Sequence, residues 1–210
     1  MMDAAPVRWW THDAGFSGAI VPHAIAPGAV VPESGVLVIG VGGQDERYAA
    51  REAIRAALRA ALAQSCGVGH DAVKLHAAPG QAPWAIVDRD GVAHRAWVAI
   101  THDGALSLAA FRFTGAVGID VMRIASVPDW APVARDYLGP AVAAALSTTP
   151  ATLRDAAFAR AWSEREARLK CLGWGVREWQ AADEPALQAC ACHPLAVPDG
   201  YVATLALALA

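Results

Sequence analysis

Apolar positions recur every four residues between Glu46 and Gln64. Ala50, Ile54, Leu58 and Leu62 fall on one stripe, so the spacing predicts a helix with one buried face. Val36–Val41 before it reads as a short apolar strand ended by Gly42 and Gly43. Ala72–Ala77 and Trp84–Val87 read as strands, followed by an Asp90-Gly91 turn. Three more strands come in quick order: Ala96–Thr101, Ala105–Phe111 and Ala116–Val121. A loop-rich stretch with Pro128, Pro132 and Pro140 then leads to a second long helix. Thr149 is the expected N-cap, Pro150 the first helical residue and Gly173 the stop. The tail predicts strands at about Leu187–Cys192 and Tyr201–Leu209, joined by a Pro198-Asp199-Gly200 turn. Residues 1–35, rich in Pro, Gly and Trp, carry no clean period and are expected to form an irregular lead-in.

The order strand, helix, strands therefore occurs twice, over about 36–111 and 116–209. The expected class is α+β, with two similar lobes, residues 1–112 and 113–210, packed against each other. A cleft between them is the natural place for a ligand and an active site.

Composition narrows the picture. Of 210 residues, 55% are apolar and 18% charged, which supplies a core and argues against disorder. A net charge of −3 excludes a globally basic nucleic-acid binder, while leaving room for a local basic pocket. Met1–Thr11 lacks the pattern of an export signal, and no stretch approaches the ~18 apolar residues that span a bilayer. Four cysteines in a chain of this size do not make a disulfide framework. A soluble cytoplasmic protein without membrane or nucleic-acid partners is expected.

Chemistry concentrates in two places. Trp162, Glu166 and Lys170 are spaced i, i+4, i+8 on the second long helix and share one face. That face is either an ordinary amphipathic stripe or a carboxylate and an ammonium aligned for a phosphate–metal site. Val117-Gly118-Ile119-Asp120-Val121 is a strand whose aspartate would be costly to bury unpaired. A metal would satisfy it. Mg²⁺ is typically held by one or two carboxylates plus phosphate oxygens and water, and Asp120 and Glu166 are placed to supply them.

With these residues the chain resembles the 4'-phosphopantetheinyl transferases. Their hallmark is Gly-(Ile/Val)-Asp followed some 40–50 residues on by Trp-x-x-Lys-Glu-(Ala/Ser)-x-x-Lys. Here Gly118-Ile119-Asp120 is followed by Trp162 through Lys170, and Ile100-Thr101-His102-Asp103 resembles the family's Ser-His-Ser turn. The order of elements resembles the larger, two-lobed type, a pseudo-dimer within one polypeptide that works as a monomer. The resemblance implies transfer of the arm of coenzyme A to a serine of an apo acyl or peptidyl carrier protein. It implies Mg²⁺, with Mn²⁺ as a substitute, on Asp120 and Glu166. Glu166 would assist deprotonation of the acceptor serine, Lys170 would offset charge on the leaving 3',5'-ADP, and His102 would contact the 3'-phosphate.

The chain also departs from the family pattern. A second acid often stands two residues after the aspartate, where this sequence has Met122. Arg165 replaces the usual lysine, and the Gly80-Gln81-Ala82-Pro83 turn lacks a lysine expected there. Arg47, Arg51, Arg55 and Arg59 form a basic ladder on the first helix. It is either a solvated face or a surface whose leading pair, Arg47 and Arg51, holds coenzyme A phosphates while the rest meets an acidic carrier. The departures leave open a relative that binds coenzyme A or a carrier without transferring. Gly40-Val41-Gly42-Gly43 lacks the third glycine of a dinucleotide fingerprint, since Asp45 stands there. Cys190, Cys192 and His193 lack a second ligand pair for a metal.

Overall fold

The computed structural model describes residues 7–11, 15–17, 35–43, 46–78 and 80–208. Elements follow in the order β1 (Arg8–Thr11), β2 (Gly15–Ser17), β3 (Val36–Gly42), α1 (Arg47–Cys66), β4 (Val73–His76), β5 (Trp84–Arg89), β6 (Val92–Asp103), β7 (Leu106–Arg112) and β8 (Val117–Arg123). Then come α2 (Trp130–Val133), α3 (Pro140–Thr148), α4 (Ala151–Cys171), α5 (Glu184–Gln188), β9 (Cys190–Pro194) and β10 (Tyr201–Ala208). The protein is mixed α+β, and the described residues form two sheets, ordered β2-β1-β3-β7-β6-β5-β4 and β8-β10-β9. All pairings are antiparallel except β1 with β3. Among the described residues no helix is long and apolar enough to cross a membrane.

Four expectations need correction. The lead-in is not wholly irregular, because β1 and β2 add two strands to the edge at β3, while residues 1–6, 12–14 and 18–34 of it lie outside the described residues. The stretch before the second long helix is also more structured than its prolines suggest. It holds α2, a π-helical turn over Ala134–Leu138, and α3, with Pro140 at a helix start, where a missing N–H costs nothing. Thr149 does not cap α4. Its hydroxyl points back and donates to the Ala145 carbonyl at 2.9 Å, closing α3, and Pro150 takes the capping position. The strand expected near Leu187 begins at Cys190, after the short α5.

The first helix forms as its stripe requires: Ala50, Ile54, Leu58 and Leu62 are all buried, the last three in one core with Ile39, Val87 and Phe111 of the large sheet. The opposite face of β6, β7 and β3 packs on the small sheet in a second core built from Leu108, Val117, Ile119, Val121 and Leu205. Alternation along β8 then decides the rest. Val117, Ile119 and Val121 enter that core, so Gly118, Asp120 and Met122 point the other way, where α4 crosses the sheet.

Gly118 sets how closely α4 approaches. A Cβ there would fall on the Ala167 carbonyl oxygen and 2.5 Å from the Cys171 backbone nitrogen. Ser163, Ala167 and Cys171 are buried at successive turns of α4, and Ser163 Oγ lies 3.2 Å from both the Asp120 carbonyl and Thr204 Oγ1. The next stripe around α4, Trp162, Glu166 and Lys170, is thereby turned toward the end of β6.

α4 ends at Cys171, and Gly173 follows in a left-handed conformation (φ 71°). Its N–H bonds the Lys170 carbonyl and that of Trp174 the Leu169 carbonyl, so the chain reverses directly after Lys170.

Candidate functional site

The ends of β6 and β8, one stripe of α4 and the first turns of α1 surround a cavity of about 610 Å³. Its lining includes Arg47, Arg51, His102, Asp120, Glu166 and Lys170. The six residues singled out in the sequence are thus brought together, from four elements far apart in the chain.

Lys170 is the hub. Its ammonium donates to Asp120 Oδ1 at 2.6 Å and to Thr101 Oγ1 at 3.3 Å, and stands 3.5 Å from Glu166 Oε2. Two hydrogen bonds and one ion pair therefore converge on the ammonium and give the side chain a preferred direction. Asp120 is 6% exposed. Burial pushes its carboxyl up to about 6 against the opposing pull of Lys170, with the Glu166 charge adding to the rise. The proximity of Asp120 and Glu166 is thus an electrostatic conflict held in check by one lysine.

Two further residues act here that sequence reasoning missed. Thr101, buried at the end of β6, donates its hydroxyl to Asp120 Oδ1 at 3.0 Å. Ser107 Oγ, on β7, lies 2.9 Å from His102 Nδ1 and fixes the ring, leaving Nε2 as its other polar atom. The available signal was a hydroxyl on an otherwise apolar strand, at positions where alternation calls for burial. Nearby, Asp103 Oδ2 accepts the Arg123 N–H at 2.6 Å, which ties the end of β6 to β8.

The departures noted in the sequence also find their places. Met122 packs in an apolar cluster with Trp130 and Trp162 at the cavity wall. Arg165 points away from the cavity: it bonds the Arg177 carbonyl at 3.5 Å and faces Glu184 at 3.9 Å, and burial lowers its pKa. Gly80-Gln81-Ala82-Pro83 borders a smaller cavity of about 290 Å³ that shares Ile100 and Lys170 with the main one and is also lined by Trp174. Arg51, Arg55 and Arg59 edge an adjoining groove of about 820 Å³, and Arg55 pairs with Glu52 at 3.6 Å. Cys190, Cys192 and His193 lie on β9, and all four cysteines are free.

Residues 116–203 match the family model of the 4'-phosphopantetheinyl transferase superfamily. That segment belongs to this superfamily. It contains Gly118-Ile119-Asp120, all of α4, and Glu166 and Lys170, whereas Arg47, Arg51, Thr101 and His102 lie outside it. The match covers under half of the chain, and the superfamily is one of transferases that generally use coenzyme A and a divalent metal. No curated protein matches the chain.

The donor set can be tested against such a metal. Asp120 and Glu166 approach a single ammonium and offer hard oxygen donors from two elements. Among the described residues no group of three acids, histidines or cysteines converges. Two carboxylates suit Mg²⁺ or Mn²⁺ when phosphate oxygens and water complete the shell. The pair fits an ion that comes with a phosphate ligand better than one caged by protein alone.

Proposed function

We propose that the chain transfers the 4'-phosphopantetheine group of coenzyme A to a serine hydroxyl of an apo acyl or peptidyl carrier protein, releasing 3',5'-ADP. One observation carries the reading. The two carboxylates and the lysine of the matched segment meet at a cavity whose lining also bears Arg47, Arg51 and His102. A pyrophosphate with a further phosphate is a ligand that needs cations at both ends and carboxylates only at its reacting centre.

In this reading Asp120 and Glu166 hold Mg²⁺ (or Mn²⁺), which when bound neutralises charge on the pyrophosphate oxygens. Glu166, directly or through water, takes the proton of the acceptor serine as its oxygen forms a bond to the phosphorus next to pantetheine. The bond from that phosphorus to the bridging oxygen breaks, and its electron pair leaves with 3',5'-ADP. Lys170 offsets the charge on that leaving group. Its contact with Glu166, the longest of its three, is the one a phosphate oxygen replaces first. His102 and the pair Arg47 and Arg51 bind the outer phosphates.

We further read the chain as two α+β lobes, 1–112 and 113–210, forming an intramolecular pseudo-dimer that acts as a cytoplasmic monomer, with the active site in the cleft. The repeated order of strand, helix and strands supports this.

The reading is tested by incubating the protein with coenzyme A, Mg²⁺ and a panel of apo carrier domains, then weighing the intact carrier. A gain of one phosphopantetheine, abolished by chelator, is the expected result. Coenzyme A binding without any gain would instead support a relative that binds without transferring, a reading that the apolar packing of Met122 favours. The arginine pair has its own test. Arg47→Glu with Arg51→Glu is expected to raise KM for coenzyme A about tenfold, with kcat little changed, because exposed ion pairs contribute ~0.2–1 kcal/mol each. An unchanged KM would remove these arginines from the site.

A further inference from the structure

We infer that Thr101 is a positioning residue that aims the Asp120 carboxylate, with its free oxygen offered to a divalent cation. The inference rests on reading Asp120 and Glu166 as a cation-binding pair.

A threonine hydroxyl has one proton to give and two lone pairs to fill. At Thr101 all three are used. The proton goes to Asp120 Oδ1 at 3.0 Å, while the oxygen receives the Lys170 ammonium at 3.3 Å and the Val121 N–H at 3.4 Å. Thr101 is 7% exposed, so water is a poor substitute partner.

The consequence lies in how the two oxygens of Asp120 are shared. Thr101 and Lys170 both donate to Oδ1, and no donor among the described residues bonds Oδ2. Two donors on one oxygen fix the carboxylate plane and leave the second oxygen for a ligand in the cavity that Asp120 lines. Lys170 alone could not do this, because it sits on a long flexible stem and also serves Glu166. Thr101 has a short side chain on β6, a strand of the other sheet, and so references Asp120 to the rigid large sheet. It lies outside the segment that matches the superfamily, although the residue it orients lies within.

Partners of this kind, one step removed from a metal, typically change metal affinity by about 10–100-fold when removed. The experiment titrates Mn²⁺ alone into the protein and follows free Mn²⁺ by electron paramagnetic resonance, for wild type, Thr101→Val and Thr101→Ser. Thr101→Val keeps the shape and deletes the hydroxyl. It is expected to weaken Mn²⁺ binding about tenfold or more, and Thr101→Ser to restore it to within about threefold.

A merely structural role would lower the thermal midpoint of Thr101→Val without moving Mn²⁺ affinity, and that result overturns the proposal. So does a Thr101→Ser variant as weak as Thr101→Val. If Thr101→Val does not fold, Thr101→Ala carries the same comparison against Thr101→Ser. Failure of the transferase reading itself would show separately, as wild-type protein that binds Mn²⁺ but adds no mass to any carrier.

Discussion

Gly118→Ala is expected to lose about 3 kcal/mol or more of stability, well above the usual cost of one added methyl. The new Cβ would meet the Ala167 carbonyl oxygen and the Cys171 nitrogen, both backbone atoms of a 21-residue helix. A side chain can rotate away from a clash, whereas a helix must move as a body. Moving α4 off β8 opens the core that holds Ala167, Cys171, Cys190 and Ala206. It also carries Glu166 and Lys170 away from Asp120. A misplacement of about 1 Å at a reacting centre can cost roughly 10²-fold in rate, so transfer should fall even where the variant still folds. Urea denaturation with coenzyme A absent checks the first part, and a midpoint unchanged from wild type would mean that α4 does not approach β8 this closely. On this account the glycine of the Gly-Ile-Asp motif is there for close packing, so that the aspartate two residues on can reach the helix.

The second large effect is expected at Lys170→Met. It leaves Asp120 and Glu166 facing each other with no counter-ion, and removing one partner of a buried pair typically costs ~3–5 kcal/mol. Lys170 is 31% exposed at its side chain, so screening should bring the cost to about 2–3 kcal/mol. The pH dependence has a definite sign. Asp120 titrates near 6 in the folded protein, above its ordinary value of 3.8, so folding favours its protonated form. Its stabilising contribution is fully present below 3.8 and is lost as pH rises through about 6. Without Lys170 the carboxyl moves higher still, and the window of loss extends above pH 6. The difference between wild type and variant in metal-free buffer should therefore be largest near pH 8–9 and shrink as pH falls toward 6. A difference that grew on acidification would contradict the pairing of Lys170 with Asp120. Under the proposed mechanism the same variant should lose about 10²–10³-fold in kcat, since it removes a cation from the developing charge on the leaving group.

Much of this arrangement was legible in the sequence, for identifiable reasons. The stripe of α1 and the strands β3 to β8 announce themselves because burial on one face forces a period, and the period survives in the residues. Asp120 stood out because an aspartate between Ile119 and Val121 needs a partner. Glu166 and Lys170 stood out because helical spacing puts them on one face. What was not legible depends on partners distant in sequence. The strand character of β1 comes from the free edge of β3, which no local pattern reports. Pro140 reads as a breaker until its position at the start of a helix is known. The sequence assigns no role to Ser107 and places Thr101 only within the stretch that resembles a Ser-His-Ser turn, because the meeting of the two sheets is what gives Thr101 its bond to Asp120. Arg165, one residue from Glu166, projects from a different side of α4 and serves the 177–184 loop.

The central claim is that Glu166 and its neighbours perform phosphopantetheine transfer. Its most direct test is the initial rate of mass gain on an apo carrier at saturating coenzyme A and Mg²⁺, for wild type and Glu166→Gln. A fall of about 10²–10⁴-fold is expected, the range for loss of a general base. A Glu166→Gln protein that loads the carrier at the wild-type rate would contradict it.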